Sequence, residues 1–226
     1  MNHFVLAFDD AVRQRFSARA FLPTPLTDEQ IHTILLDAQY SPSNCNTQPW
    51  HVHVVSGETK ERLGKLMTAN DMEGIQTPDF TFSYDDFYGD YFNRAHEQAR
   101  IYYDALGIAR DDRERRKATY LRNYQFFNAP HAAFLFMPSF GDNIRVAADI
   151  GMYAQSFLLS LTARGFAGIP QTLLGFHAEL IRAELSVSEE YRLLFGISFG
   201  YADTAAASAK TRMPRVLVSE SVVMHG

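Results

Sequence analysis

The feature that most constrains the fold is a near-continuous apolar run in the middle of the chain. It spans residues 131–137 and reads HAAFLFM. A run without alternation predicts a strand buried on both faces, because a half-exposed strand alternates apolar and polar residues. A second run, LLFGISFGY at 193–201, predicts another inner strand. Both strands need helices above and below them.

Helical patterns separate the predicted strands. A first helix, with apolar positions from Phe4 onward, ends near Arg15, and a capping box at Thr27 begins a second helix that continues to about Gln39. We predict a strand at 50–55 and an edge strand at 216–218. Further helices are predicted at 58–67, 94–106, 111–124, 145–164 and 178–185. This order indicates an α/β or α+β sheet in one domain over residues 1–226.

Charge and composition exclude several classes of function. The formal net charge is −5, whereas nucleic-acid and anionic-membrane binders need a positive field. The longest apolar segment, 144–163, contains Arg145 and Asp149, so we expect a buried helix and no membrane span. The single cysteine, Cys45, cannot form an internal disulfide, and the N-terminus lacks a secretory signal pattern. We therefore expect a cytoplasmic protein.

Basic residues occur in two groups at opposite ends of the chain. Arg15 and Arg19 stand four residues apart with Ser17 between them, and Lys210 and Arg212 flank a threonine. Arginine forks match phosphate oxygens, and lysine adds a point charge, so the two groups together would suit one phosphate. Two separate solvated basic surfaces would explain the same residues.

Two proline-containing segments could contact a ligand. SPSNCNTQPW at 41–50 concentrates short hydroxyl and amide side chains between two prolines. GIPQTLLG at 168–175 follows the long predicted helix, where it is either a plain connection between helices or a loop whose amides face a ligand. Neither GxGxxG nor GxxxxGK[ST] occurs, so the usual dinucleotide and P-loop cradles are absent from the sequence.

The segment at about 70–92 has no helical or strand period but many aromatic residues. It is either a flap packed on the protein itself or on a partner, or a lid over a flat ligand. Two other hypotheses have little support in the sequence. Cys45 with His51 could form a nucleophile and base, and His51 with His53 could bind zinc, but no further ligand is evident.

Three motifs taken together resemble the FMN-dependent nitroreductase family. They are RFSARAF at 15–21, SPSNCNTQPW at 41–50 and KTRMP at 210–214. GIPQTLLG and LLFGISFGYAD look like the flavin-ring loop and last core strand of that family, so the resemblance covers essentially the whole chain. LGIARDD and NYQFFNAP look like its nitrobenzoate-type branch.

The resemblance implies a nitroreductase-like three-layer α/β/α fold of the α+β class. Its central, mainly antiparallel sheet is flanked by helices, and two chains form an intertwined homodimer with FMN at the interface. Residues 42–44 would reach the flavin from the other subunit. The implied FMN contacts are Arg15, Phe16, Ser17, Arg19, Pro42, Ser43, Asn44, Asn46, Gln48, Pro170, Gln171, Thr172, Leu173, Lys210 and Arg212.

The implied reaction passes a hydride from NAD(P)H through FMN to a nitroaromatic compound in a ping-pong sequence. We assign no catalytic side chain and no metal. Other flavin reactions, such as quinone or enone reduction or reductive dehalogenation, and flavin binding without turnover are alternatives. The sequence does not decide between NADH and NADPH and gives Cys45 no role. Aromatic residues expected to stack on a flat substrate are Phe80, Phe82, Tyr84, Tyr124 and Phe127.

Overall fold

The computed structural model describes residues 5–226, so Phe4 lies outside the described residues. One antiparallel sheet has the strand order β1-β2-β4-β3. The two predicted inner strands are confirmed as its two central strands. The strands are β1 (His51–Ser56), β2 (His131–Pro138), β3 (Ala167–Gln171) and β4 (Tyr191–Gly200).

Eight helices and several 3-10 turns complete the described part of the chain. The capping box is confirmed: the Gln30 N–H donates to Thr27 Oγ1 at 3.2 Å, and the Thr27 N–H donates to Gln30 Oε1 at 2.8 Å. None of these helices is both long and apolar enough to cross a membrane. The helices are α1 (Phe8–Gln14), α2 (Asp28–Gln39), α3 (Gly57–Met72), α4 (Gly89–Ala105), α5 (Arg113–Leu121), α6 (Ile144–Ala163), α7 (Ala178–Leu185) and α8 (Val218–Ser221).

Strand β2 divides the core into two layers because its side chains alternate between the faces of the sheet. Phe134 and Phe136 point to what we call the first face, which α3 and α7 cover. Leu135 and Met137 point to the second face, which α2 and α6 cover. The three-layer α+β architecture is thus the one the sequence indicated.

Two predictions about secondary structure are wrong. Residues 216–218 do not form a strand: Val218 begins the short helix α8, and Leu217 and Val218 are exposed. The segment 168–175 does not connect two helices, because its first part forms β3 and its second part the 3-10 turn Thr172–His177. Pro170 is tolerated in β3 because β3 is an edge strand.

The aromatic segment is irregular, as expected, except for a 3-10 turn at Tyr84–Asp86, but it is shorter than predicted because α3 continues to Met72 and α4 begins at Gly89. The carboxylate of Asp79 attaches the aromatic segment to β4. Asp79 accepts a hydrogen bond from the Leu193 N–H at 2.7 Å and pairs with Arg182 and, at 3.2 Å, with Arg192. The segment is therefore attached to the sheet at Asp79.

Candidate functional site

The segment containing the first basic group lies along the outer edge of β3. Ser17 forms a parallel bridge with Gly168, and Phe21 forms an antiparallel bridge with Ala202. Farther along, the Leu22 N–H donates to the Tyr201 carbonyl at 2.9 Å. These contacts place the 15–19 segment beside the beginning of the 168–175 segment, two regions that are far apart in sequence.

Arginines of both basic groups lie at this edge, and we call Arg15, Arg19, Arg212 and Arg215 the basic cluster: Arg15 and Arg19 belong to the segment beside β3, and Arg212 and Arg215 come from the C-terminal segment that packs on it. The Arg212 guanidinium lies 4.0 Å from the centroid of the Phe16 ring, which joins the C-terminal group to the first. Burial lowers the pKa of Arg15, and the nearby charge of Arg215 lowers it further. Lys210 is exposed at the end of the turn Ala207–Lys210. Within residues 5–226 none of the four arginines has a carboxylate partner.

Arg19 is the most enclosed of these cations. Burial lowers the pKa of its guanidinium, which lies 4.6 Å from the Tyr102 ring centroid and donates to the Ser17 carbonyl at 3.4 Å. Arg122 donates to the Arg19 carbonyl at 2.8 Å and fixes the backbone there. Arg15 and Arg19 are partly buried and, within residues 5–226, have no carboxylate partner, an arrangement that costs stability unless an anion is bound, whereas Arg212 and Arg215 are exposed. The cluster therefore fits the phosphate of FMN.

A cleft of about 720 Å³ extends from Arg19 along β3 on the first face. Its walls come from β3 and the turn after it, from α4 and α5, and from the aromatic segment. Its size and its many aromatic side chains suit a flat, largely apolar ring system. The lining includes Arg19, Phe82, Ser83, Tyr84, Tyr102, Tyr103, Tyr120, Asn123, Phe127, Ile169, Pro170, Gln171, Thr172 and Leu173.

The side chain of Gln171 is buried and is used within the protein. Its Nε2 donates to the Asn123 carbonyl at 3.0 Å, and its Oε1 accepts a hydrogen bond from the Ser198 hydroxyl. A ligand in the cleft therefore meets the backbone at this position. Because β3 has a neighbouring strand on one side only, backbone groups of its outer edge can face the cleft.

The structure places only some of the five aromatic residues expected at the substrate in the cleft. Phe82, Tyr84 and Phe127 line the cleft. Tyr124 lies in the core, where its hydroxyl donates to Asp71 at 2.8 Å, and Phe80 packs against the core of the second face. Only the first three are therefore positioned to stack on a ligand in the cleft.

The 41–50 loop lies on the second face, across the sheet from the cleft. The Ser41 hydroxyl donates to Ser156 at 2.7 Å, the Asn44 N–H donates to Asp149 at 3.1 Å, and the Trp50 ring lies 5.0 Å from that of Tyr153. These contacts fix the loop to α6. A single chain therefore unites the 15–19, 170–173 and 210–212 segments but leaves residues 42–48 apart from them.

The backbone of this loop is strained and its polar side chains are exposed. Cys45, Asn46 and Gln48 have φ angles of 51°, 56° and 46°, which non-glycine residues seldom adopt. The Gln48 N–H donates to the Ser43 hydroxyl at 2.9 Å, which helps to maintain this conformation. Strain of this kind is concentrated at functional sites, where the structure holds side chains in place for a ligand.

The two chemical hypotheses for the histidines gain no support from the geometry. His51 Nε2 lies 3.0 Å from His53 Nε2, and the His51 ring stacks on Tyr191 at 4.1 Å. The Cys45 thiol instead contacts Asn44 Oδ1 at 3.8 Å. In the part of the chain that the structure describes, no group of three or more His, Cys, Asp or Glu side chains could hold a metal ion.

Sequence reasoning missed three residues of the site. Arg215 belongs to the basic cluster, Tyr102 lies beneath Arg19, and Asn123 connects the cleft to Gln171. Arg215 comes three residues after Arg212, so the motif could have been extended to include it. The other two depend on helix packing, for which the local sequence carries no signal.

The fold and the cleft define the nitroreductase-like class of α+β proteins. The FMN-dependent nitroreductase NfnB from Mycobacterium smegmatis, solved in complex with NADPH, has 39% sequence identity and a TM-score of 0.92, covering 96% of this chain and 97% of that one. The FMN- and NADPH-dependent NfnB from Sphigopyxis sp. strain HMH has 31% identity and a TM-score of 0.93, covering 98% and 100% of the two chains.

The chain belongs to the nitroreductase family, whose model matches residues 12–201. Two relatives agree with this assignment over almost their whole length. The nitroreductase NfnB of Mycolicibacterium smegmatis is 41% identical over 95% of this chain and 91% of its own. The 4-nitrobenzoate reductase of Pseudomonas putida is 33% identical over 92% and 91% of the two chains.

Proposed function

We propose that this protein is an FMN-dependent oxidoreductase that transfers electrons from NAD(P)H to nitroaromatic compounds. The observation that carries the proposal is Arg19, which within residues 5–226 has no carboxylate partner, at one end of an aromatic cleft, with Arg15 four residues before it in the same segment beside β3. The relatives named nitroreductase and 4-nitrobenzoate reductase support the same activity. We also propose that residues 1–226 form one domain, since both core layers share one sheet.

Different residues of the site would bind different parts of the cofactor. Arg15, Arg19, Arg212 and Arg215 would bind the phosphate, and Ser17 would add a hydroxyl close to it. The backbone of residues 170–173 would align one edge of the flavin ring along β3. When bound, FMN supplies two-electron transfer between the nicotinamide donor and the nitro acceptor.

The walls of the cleft orient the flat reactants and exclude water. Phe82 and Tyr84 present exposed aromatic surfaces, each worth about 1 kcal/mol beyond burial when stacked on a ring, and the buried Phe127 forms part of the wall behind them. No side chain is assigned to proton transfer, because water can deliver the proton at the open end of the cleft. The chain thus contributes binding, orientation and electrostatics.

We further propose that the site is completed by a second copy of the chain. The loop 42–48 carries exposed polar side chains in a strained conformation, but it lies on the opposite face of the sheet from the cleft. The same face exposes apolar side chains on α2 and α6, which a partner would cover: Leu36, Tyr40, Ile144 and Met152. A homodimer would then place the loop of one copy at the cleft of the other. Location in the cytoplasm stays a prediction.

Anaerobic stopped-flow spectroscopy tests the proposed reaction directly. The purified protein should be yellow, its flavin absorbance should bleach on mixing with NADPH or NADH, and it should return on mixing with 4-nitrobenzoate. A flavin that neither nicotinamide reduces would refute the proposal and favour flavin binding without turnover. A flavin that is reduced but not reoxidised by nitroaromatics would indicate another acceptor, such as a quinone.

A further inference from the structure

Asp149 is a buried carboxylate in α6 that the proposed function does not use. The residue is only 4% exposed. Within residues 5–226 it forms no ion pair, and its one hydrogen-bond donor is the Asn44 N–H, which lies 3.1 and 3.2 Å from the two carboxylate oxygens. Burying a carboxylate is costly, and one backbone donor offsets only part of that cost. Asp149 therefore adds little stability by itself, and its main structural effect is on the 41–50 loop.

One stripe of α6 holds the first half of this loop. Asp149, Met152 and Ser156 lie on the same side of the helix, because residues three or four apart are neighbours on a helix surface. The Ser41 hydroxyl donates to Ser156 Oγ at 2.7 Å and lies 3.3 Å from the Met152 carbonyl oxygen. Asp149 holds Asn44, three residues farther along the loop. The loop is thus fixed to the helix at two points.

The contact with Asp149 lies immediately before the strained part of the loop. Three of the four residues that follow Asn44 have positive φ angles. Such conformations persist only where surrounding contacts determine them. The hydrogen bond from the Gln48 N–H to the Ser43 hydroxyl joins two residues of the loop itself, whereas the hydrogen bond from Asn44 to Asp149 joins the loop to a helix. Asp149 therefore relates the strained residues to the rest of the protein.

We propose that Asp149 is a positioning residue for FMN, acting through the loop on the site of the second copy. This inference rests on the proposed function, because it assumes that FMN binds at the cleft and that the loop of one chain completes the site of the other. By fixing the Asn44 N–H, the carboxylate sets the direction in which the amide side chains of Asn44, Asn46 and Gln48 leave the loop. Amides held in this way need little further ordering to hydrogen-bond a flavin ring.

The test compares two variants of Asp149 with a matched control in the same helix. Asp149→Ala removes the acceptor, and Asp149→Asn, which keeps the size and one acceptor oxygen, serves also where Asp149→Ala does not fold. The control is Ser160→Ala, because Ser160 is 6% exposed and donates to Asp37 at 2.7 Å, away from the loop. Fluorescence titration of the apoproteins with FMN should show a loss of affinity of about tenfold for Asp149→Ala, a smaller loss for Asp149→Asn and none for the control.

Amide hydrogen exchange gives a measurement that does not depend on FMN. Peptides that cover residues 43–48 of the apoprotein should exchange faster in both Asp149 variants and at the wild-type rate in Ser160→Ala, because the carboxylate protects the Asn44 amide. Faster exchange with wild-type FMN affinity would overturn the inference, and so would a loss of affinity without faster exchange in this segment.

A mixed dimer of an Asp149→Ala chain and an Arg19→Ala chain separates positioning in the partner from a merely structural role. If Asp149 acts through its loop on the other copy, one site contains both changes and the other contains neither, so that one site per dimer should bind FMN with wild-type affinity. If Asp149 acts within its own chain or through overall stability, both sites stay weak, and the inference is overturned. A wild-type protein that binds no FMN would instead remove the proposed function, and this inference with it.

Discussion

The basic cluster and the 41–50 loop both contain many groups that bind anions or flat polar rings. They differ in whether residues of the same chain surround those groups. The cluster is assembled by one chain, since Arg212 reaches Phe16 and Arg215 reaches Arg15. The loop is fixed to α6 on the other face, and its Asn44, Asn46 and Gln48 side chains remain exposed. On the proposed function, one chain would bind the phosphate by itself, and a second copy would be needed to surround the ring.

The largest effect is expected in a mixed dimer of two different variant chains, which tests whether the cluster of one chain and the loop of the other form one site. One chain carries Arg19→Ala, and the other carries Asn44→Trp, which would fill the ring position from the partner side. Each variant alone should bind little FMN. If the site combines the cluster of one chain with the loop of the other, a mixed dimer contains one intact site and should hold about half the wild-type flavin.

Differently tagged chains allow the mixed dimer to be purified in two steps, and its flavin content is read from absorbance. A mixed dimer as empty as both parents would show that each site is built from a single chain.

The next largest effect is expected for Arg19→Ala alone. Loss of an enclosed, charge-assisted phosphate contact should weaken FMN binding by about 1.5 to 3 kcal/mol, or roughly 10- to 150-fold. Fluorescence titration of the apoprotein with FMN measures the change. Arg13→Ala is the control, because Arg13 is exposed on α1 and pairs only with Asp9. Equal affinity in the two variants would place the phosphate elsewhere.

A third prediction concerns the packing beneath the cleft. A Cβ at Gly64 would lie 2.8 Å from the Tyr124 carbonyl oxygen and 3.4 Å from the Phe126 ring. Gly64→Ala should therefore destabilise the protein by about 1 to 3 kcal/mol, because α3 must move away from the turn that carries Phe127. Urea denaturation compares it with Lys65→Ala, an exposed change on the same helix that should stay within about 0.5 kcal/mol of wild type.

The smallest effect is a pH dependence of stability. Burial lowers the pKa of His177, an effect that Asp71 only partly offsets, and neither ring nitrogen has a hydrogen-bond partner within residues 5–226. The folded state therefore keeps this ring neutral, and the unfolded state takes up a proton below its ordinary pKa of about 6.5. The contribution is complete above that pH and is lost as the pH falls toward the lower, folded-state pKa.

His177→Leu should flatten this decline by at most about 1.4 kcal/mol per pH unit, measured by denaturation at pH 7.5 and 5.5. The exposed His32→Leu change on α2 is the comparison. An unchanged slope in His177→Leu would assign the acid sensitivity to other groups, including His131, whose pKa is also lowered by burial.

Local sequence patterns predicted the helices and strands whose formation depends mainly on residues close together in the sequence. The capping box located the start of α2, and the unbroken run at 131–137 located the central strand β2. Strand β3 was missed because Gly168 and Pro170 interrupt any strand pattern, and only an edge position makes them acceptable. The tail was mistaken for a strand because its valines have high β propensity, although no sheet edge receives them.

The sequence motifs supplied the candidate site residues, whose roles stay predictions, but they carried no information on how the segments are arranged in space. The motifs named the basic residues at 15–19 and 210–212, which the structure gathers at one edge of the sheet. They could not indicate that the 41–50 loop lies on the opposite face of the sheet from the cleft. That position depends on how α6 packs against segments that are distant in the sequence. Nor could they separate Phe127, which lines the cleft, from Tyr124, which lies in the core.

The attachment of Asp79 to β4 has a consequence for the range of acceptors. Asp79 attaches the aromatic segment to β4 partway along its length, and the helix that begins at Gly89 holds its far end. Rings of different width should therefore be accommodated by rotation of Phe82 and Tyr84 about their own bonds rather than by withdrawal of the whole segment. We expect broad tolerance for substituents on flat molecules and a steep decline in turnover for bulky, non-planar ones.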